Sequence, residues 1–188
     1  MERHIPLIIS EGKPFERGLH FGKSQQERVQ HTISAYMRIF ENFAGLERDA
    51  VYRQVERIIP AIGRFSPRLL DEMCGIAEGA LCDVREIVAI NARTELMYGV
   101  TNRPECTSIA ISAAASADGH TRVAQNWDWH PSLVGTLVLW LVRRSDGPDL
   151  LTLTEAGIVG KIGINAAGLA MCINLLRSDS DSDGPAVP

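Results

Sequence analysis

Apolar positions in the first half of the chain recur at helical steps. Phe15, Leu19, Gly22, Val29, Ile33, Met37, Phe40 and Ala44 follow one another at intervals of three, four or seven residues, which is the stripe of an amphipathic helix. Gly45 supplies its stop. A second helix is predicted over residues 48–62, interrupted or ended near Pro60. Ser66-Pro67 has the form of an N-cap followed by proline at the first helical position. Leu70, Met73, Ala77 and Leu81 then make a further buried stripe. Asp83 with Glu86 three residues on has the form of a capping box, with aspartate in place of serine or threonine, and opens a helix running to about residue 98. The apolar run at residues 5–9 reads as a short strand.

The period changes at Cys106. Thr107, Ile109 and Ile111 alternate with Cys106, Ser108, Ala110 and Ser112, the two-residue repeat of a strand. Residues 117–120 supply a turn, and residues 121–127 a second strand. Strands over 136–142 and 150–154 flank Ser145-Asp146-Gly147-Pro148, a strong turn signal. Strands over 158–164 and 169–175 flank Asn165-Ala166-Ala167-Gly168. A run of helices followed by antiparallel strands predicts an α+β fold.

Composition narrows the class. Of 188 residues, 45% are apolar and 22% charged, ordinary values for a globular chain and against wholesale disorder. A net charge of −4 argues against nucleic acid as a partner. No apolar run approaches the ~20 residues of a spanning helix, so no membrane association is expected. The N-terminus lacks a signal-peptide pattern, and the expected compartment is the cytoplasm. Cys74, Cys82, Cys106 and Cys172 form no CxxC pair, so neither a disulfide framework nor a structural zinc site is expected. His4, His20, His31, His120 and His130 show no metal-ligand spacing, and no metal or other cofactor is expected.

One cysteine stands apart. Cys74, Cys82 and Cys172 sit in helical or strand patterns as small hydrophobes. Cys106 follows a loop, opens the first clear strand, and shares its strand face with Ser108, Ala110 and Ser112, which leave room for a ligand. It is either a nucleophile or a strand-opening core thiol. Downstream, Asp128 lies between Trp127 and Trp129. A carboxylate there is costly to bury without partners, so it either caps a turn or holds a functional group. His130 is a possible partner for a thiol.

At these residues the sequence resembles the acyl-coenzyme A:6-aminopenicillanic acid acyltransferase family, also classed as the C45 cysteine peptidases, a group of N-terminal-nucleophile hydrolases. The resemblance rests on Cys106-Thr107-Ser108, on Gln125-Asn126-Trp127-Asp128, and on the stretch from Thr154 through Glu155, Gly157, Gly160, Lys161 and Gly163 into Asn165-Ala166-Ala167-Gly168. Residues 71–80 are similar to the family's propeptide-like segment. The resemblance spans nearly the whole chain but only about the first half of a full member.

It implies a mainly helical, propeptide-like segment over 1–105 and, over 106–188, the first strands of an incomplete αββα N-terminal-nucleophile sandwich. It implies self-cleavage between Glu105 and Cys106. The freed α-amino group of Cys106, with an ordinary pKa near 8, would then serve as base for the thiol of the same residue. Asp128 matches the aspartate that orients that amine. The thiol would form an acyl-enzyme with a small-molecule N-acyl amide or acyl thioester, acyl-coenzyme A among the candidates, and water or an amine would complete the turnover. The family's oxyanion-hole asparagine and a late arginine fall beyond position 188, and neither Asn165 nor Asn174 takes the asparagine's place.

Three readings stand at this point: a cysteine acyltransferase or amidohydrolase of this family, represented by a fragment; a thiol protease using Cys106 and His130; and an inactive remnant that binds a partner through an open sheet edge.

Overall fold

The computed structural model describes residues 4–97 and 106–175. A short strand, β1 (Leu7–Ser10), leads into helices α1 (Pro14–Ser24), α2 (Gln26–Ala44), α3 (Arg48–Phe65), α4 (Pro67–Ala80), α5 (Val84–Asn91) and α6 (Arg93–Leu96). Strands follow: β2 (Cys106–Ile111), β3 (Arg122–Trp127), β4 (Leu137–Val142), β5 (Leu150–Glu155), β6 (Ile162–Asn165) and β7 (Ala170–Met171). The architecture is the α+β arrangement expected from the change of period.

Five strands form one sheet in the order β1-β4-β5-β6-β7, and β2 pairs with β3 in a separate antiparallel hairpin. Pairing from β4 to β7 is antiparallel, but β1 lies parallel to β4, with Ile8 opposite Trp140. The N-terminal run therefore contributes an edge strand to a sheet built 130 residues downstream. Alternation along β4 buries Val138, Trp140 and Val142 against the helices. Trp140 stacks at 4.3 Å on Phe21 of α1, and its indole donates to the Ser10 hydroxyl at 3.0 Å.

The long helical stripe predicted over residues 15–44 is two helices. The break at Gln25 frees α1 to lie along α4, the most intimate packing in the molecule. Gly18 and Gly22 of α1 face Gly75 and Gly79 of α4. A Cβ on Gly18 would overlap the Glu72 carbonyl oxygen, and one on Gly75 the Phe15 carbonyl oxygen. The same interface encloses an ion pair, in which the Arg17 Nε donates to Glu72 Oε1 at 2.9 Å and both side chains are buried. Burial pushes the Glu72 carboxyl up, and the Arg17 guanidinium opposes that shift.

Other boundaries moved for local reasons. Pro60 lies inside α3, which continues to Phe65. Ser66 occupies the N-cap of α4 with Pro67 at the first position, but its side chain makes no cap hydrogen bond. The Asp83–Glu86 capping box is present, with Arg85 N donating to Asp83 Oδ1 at 2.8 Å and Asp83 N to Glu86 Oε2 at 3.2 Å. The strand predicted over 158–164 begins only at Ile162, because residues 156–160 form a turn packed into the core. The strand predicted over 169–175 pairs only through Ala170 and Met171. Its continuation instead meets the hairpin: the Gln125 side chain bonds both the N–H and the carbonyl of Ile173.

The glycine packing sets a sign for mutation. In a helix interior, alanine normally gains about 1 kcal/mol over glycine. At Gly22 the added methyl meets the Ile76 carbonyl, and Gly22→Ala is expected to lower stability by about 1–3 kcal/mol through overpacking. Gly63→Ala in α3 meets only the flexible Leu70 side chain, at 3.5 Å, and is expected to be neutral or stabilising. Urea unfolding midpoints of the two variants test the contrast.

Candidate active site

Cys106 opens β2 opposite Trp127 in the β2–β3 ladder and lies half-buried in the wall of a cleft of about 200 Å³. The cleft's polar wall carries Arg93, Glu95 and Lys161, and its apolar wall includes Trp127, Trp129 and Met97. The hairpin, the end of α6, β6 and the segment after β7 thus converge on one thiol.

Behind Lys161 and Trp129 of the cleft wall lies a buried polar network. Glu155, at the end of β5, is fully buried. Its carboxylate pairs with the Lys161 ammonium and accepts from the Tyr36 hydroxyl of α2, whose oxygen lies 3.1 and 3.2 Å from the two carboxylate oxygens. Tyr36 in turn accepts from the Trp129 indole at 2.9 Å. Burial, reinforced by the charge of Glu155, holds the Tyr36 hydroxyl well above its usual range and keeps it a donor. The Lys161 Nζ sits 3.8 Å from the centroid of the Trp127 ring, a cation–π contact made stronger by desolvation.

The turn between β5 and β6 creates this meeting. Gly157 has φ +99°, and a Cβ there would come within 2.7 Å of Ile90 Cδ1. Asn91 of α5 clamps the same turn, donating to the Gly157 carbonyl at 2.9 Å and accepting from Val159 N–H at 3.0 Å. The chain therefore doubles back, and Lys161 returns to Glu155 six residues later. Burial and the nearby Arg93 guanidinium pull the Lys161 ammonium down to about 7, against the opposing pull of Glu155 and of a Cys106 thiolate.

The residues singled out by sequence lie at different depths. Cys106 is in the cleft wall. Asp128 is exposed, is not among the cleft-lining residues, and makes no hydrogen bond or ion pair with the described residues. Glu105 and its bond to Cys106 lie outside the described residues. His130 caps a 3-10 turn over Pro131–Thr136, its Nδ1 2.8 Å from the Ser132 hydroxyl and its ring edge-on to Phe43; it too is absent from the cleft wall. Asn165 caps the β6–β7 turn, its side-chain oxygen accepting from Ala167 and Leu169 N–H. Asn174 lines the cleft, but its amide nitrogen is committed to the Cys106 carbonyl at 3.0 Å and its oxygen to Ser108. Cys74 and Cys82 are half-buried, and burial raises both thiols, Cys82 to about 12. Sequence reasoning missed Tyr36, Glu155, Arg93 and Lys161 as site residues. The available signal was a lysine interrupting the apolar stretch 157–176.

A family model described as acyl-coenzyme A:6-aminopenicillanic acid acyl-transferase matches residues 115–186. The chain is also 31% identical over 174 residues to the acyl-coenzyme A:6-aminopenicillanic-acid-acyltransferase 40 kDa form of Emericella nidulans, across 90% of this chain and 47% of that protein. The chain is therefore similar to the acyl-coenzyme A:6-aminopenicillanic acid acyltransferase family, over residues 115–186 by the family model and over 90% of its length by the relative. It spans about half the length of the curated relative it matches. No helix among the described residues is long and apolar enough to cross a membrane.

The lowered Lys161 gives the fold a pH signature. The folded ammonium loses its proton near 7, the unfolded one near 10.4. Between those values the unfolded chain binds more protons, so this residue makes stability rise with pH. The wild type is expected to gain stability from pH 6.5 to 9.5 relative to the double variant Lys161→Met/Glu155→Gln, in which neither group titrates. Urea midpoints at the two pH values measure the difference.

Proposed function

We propose that the chain carries the nucleophile-bearing half of an autoprocessing cysteine acyltransferase or amidohydrolase of the N-terminal-nucleophile type. The observation that carries this reading is Cys106 at the first position of a strand, opening onto a cleft with mixed apolar and cationic walls. Residues 1–105, which carry helices α1 to α6, are then the propeptide-like piece, and residues 106–188 carry the first strands of the catalytic αββα sandwich. The five-stranded sheet and the separate hairpin supply parts of its two sheets. A cytoplasmic site of action goes with this reading.

In the mechanism, the Cys106 sulfur attacks the Glu105 carbonyl, the C–N bond breaks, and water hydrolyses the thioester. The freed amine then accepts the thiol proton during turnover. Asp128 directly follows Trp127, the ladder partner of Cys106. Its carboxylate, exposed in the uncleaved chain, orients the amine once that amine is free. The substrate is a small molecule with an acyl group held as an amide or thioester, acyl-coenzyme A included. The Trp127, Trp129 and Met97 side chains provide apolar surface for the acyl chain.

Processing is read by intact mass. The full-length polypeptide is expected to yield a piece ending at Glu105 and a piece beginning at Cys106, whereas Cys106→Ala stays whole. Equal cleavage of both would remove the autocatalytic mechanism.

Asp128 and His130 separate this reading from a Cys/His protease. In folded, processed protein, Asp128→Asn is expected to cost most of kcat. His130→Gln is expected to leave a sizeable fraction, since its ring is engaged with Ser132. A protease using His130 as base predicts the reverse, with a loss of roughly 10²–10⁴ on removing that base.

A further inference from the structure

The proposed self-cleavage lacks a base. Before the Glu105–Cys106 bond breaks, the nitrogen of Cys106 is an amide and accepts no proton, so the amine that serves turnover is unavailable for the first reaction. Among the described residues, no histidine lines the cleft. Of the titratable groups there, Arg93 stays protonated at any working pH. Glu155 lies behind Lys161 and is occupied by it and by Tyr36.

Lys161 is held differently. Its Nζ has three positions for a proton or lone pair. One is directed to Glu155 and one to the face of Trp127. Lys161 also lines the cleft that holds Cys106. Trp127, on which the amine rests, is the residue paired with Cys106 across the ladder, which puts amine and thiol on the same side of the hairpin.

Resting on the cysteine-nucleophile reading above, we propose that Lys161 is the proton acceptor for the Cys106 thiol in the uncleaved chain, and so drives the cleavage that later makes it dispensable as a base. The neutral amine takes the proton from Sγ as sulfur bonds to the Glu105 carbonyl carbon. The resulting ammonium returns that proton to the departing nitrogen as the C–N bond breaks, giving the α-amino group of Cys106. Water then splits the thioester, releasing the Glu105 carboxylate and the thiol. Among the described residues, Glu155 from β5, Arg93 and Glu95 from α6, Tyr36 from α2 and Cys106 from β2 are the charged or titratable groups around this cycle, and Glu95 has a buried carboxylate oxygen without a hydrogen-bond partner. Burial and Arg93 favour the neutral amine, so a substantial fraction is ready to accept a proton near pH 7.

The test follows the self-cleavage rate of the full-length polypeptide by intact mass from pH 5.5 to 9.5, in wild type, Lys161→Arg, Lys161→Met/Glu155→Gln, Glu95→Gln and Cys106→Ala. Folding of each is checked by circular dichroism. The wild-type rate is expected to rise with a midpoint near 7. Lys161→Arg, which keeps a cation beside Glu155 but offers no base, is expected to slow cleavage at pH 7 by about 10²-fold or more. Its residual rate should rise only in the range of a free thiol, about 8.5. The double variant should behave in the same way without leaving a buried charge unpaired. Wild-type rate and midpoint in both Lys161 variants, or abolition by Glu95→Gln alone, would overturn the assignment to Lys161 while leaving the Cys106 reading intact. Should the Lys161 variants not fold, the wild-type profile decides: a midpoint near 8.5 overturns the proposal. A wild type that does not cleave, or a Cys106→Ala that cleaves equally, overturns both.

Discussion

The carboxylate of Glu155 is the constraint around which the rest is arranged. A fully buried charge is tolerated only with partners, and this one draws them from three parts of the chain. Lys161 arrives from the β5–β6 turn, Tyr36 from α2, and Trp129 joins through Tyr36. Satisfying one acid therefore fixes the helical layer against the sheet and sets the two tryptophans that wall the cleft. It also holds a lysine over Trp127 and beside Cys106. The same desolvation that makes the pair costly in the interior brings the lysine's proton affinity into the neutral range.

That arrangement needs a scaffold that does not yield, and the α1–α4 contact provides it. Four glycines let two helix backbones approach to where any side chain would overlap a carbonyl, and the Arg17–Glu72 pair is enclosed at the same seam. With α1 fixed there, Phe21 is held against Trp140, and β1 is carried alongside β4. The face of β1 turned away from the helices leaves Leu7 and Ile9 exposed, as are Ile109 and Val123 on the β2–β3 hairpin.

Much was legible before any coordinates. The switch from a 3.6-residue to a two-residue period at Cys106 marked where helices give way to strands. The Asp83–Glu86 box and the Gly45 stop marked real boundaries. The motif from Thr154 to Lys161 signalled the family, and its physical content is now visible as a turn held by Gly157 and Asn91. The misplaced boundaries share a cause. The continuous stripe over 15–44 could not reveal the break at Gln25, because both helices bury the same kind of face. The strand over 158–164 read as one run because apolar residues packed in a turn look like apolar residues in a strand.

By itself, the chain determined its element types, its α+β class and the thiol that stands at the change of period, because those follow from local spacing and from chemistry at single positions. It did not reveal that Glu155 pairs with Lys161 beneath Tyr36, or that Asp128 and His130 lie outside the cleft wall while Lys161 and Arg93 lie within it. Tyr36 and Glu155 are 119 residues apart. Nothing in either neighbourhood announces the other, since a buried polar group's partner is chosen by how whole layers pack. The proton affinity of Lys161 is likewise a property of the packed interior, set by the water it has lost and by charges from three other elements. Only the tertiary structure could decide it.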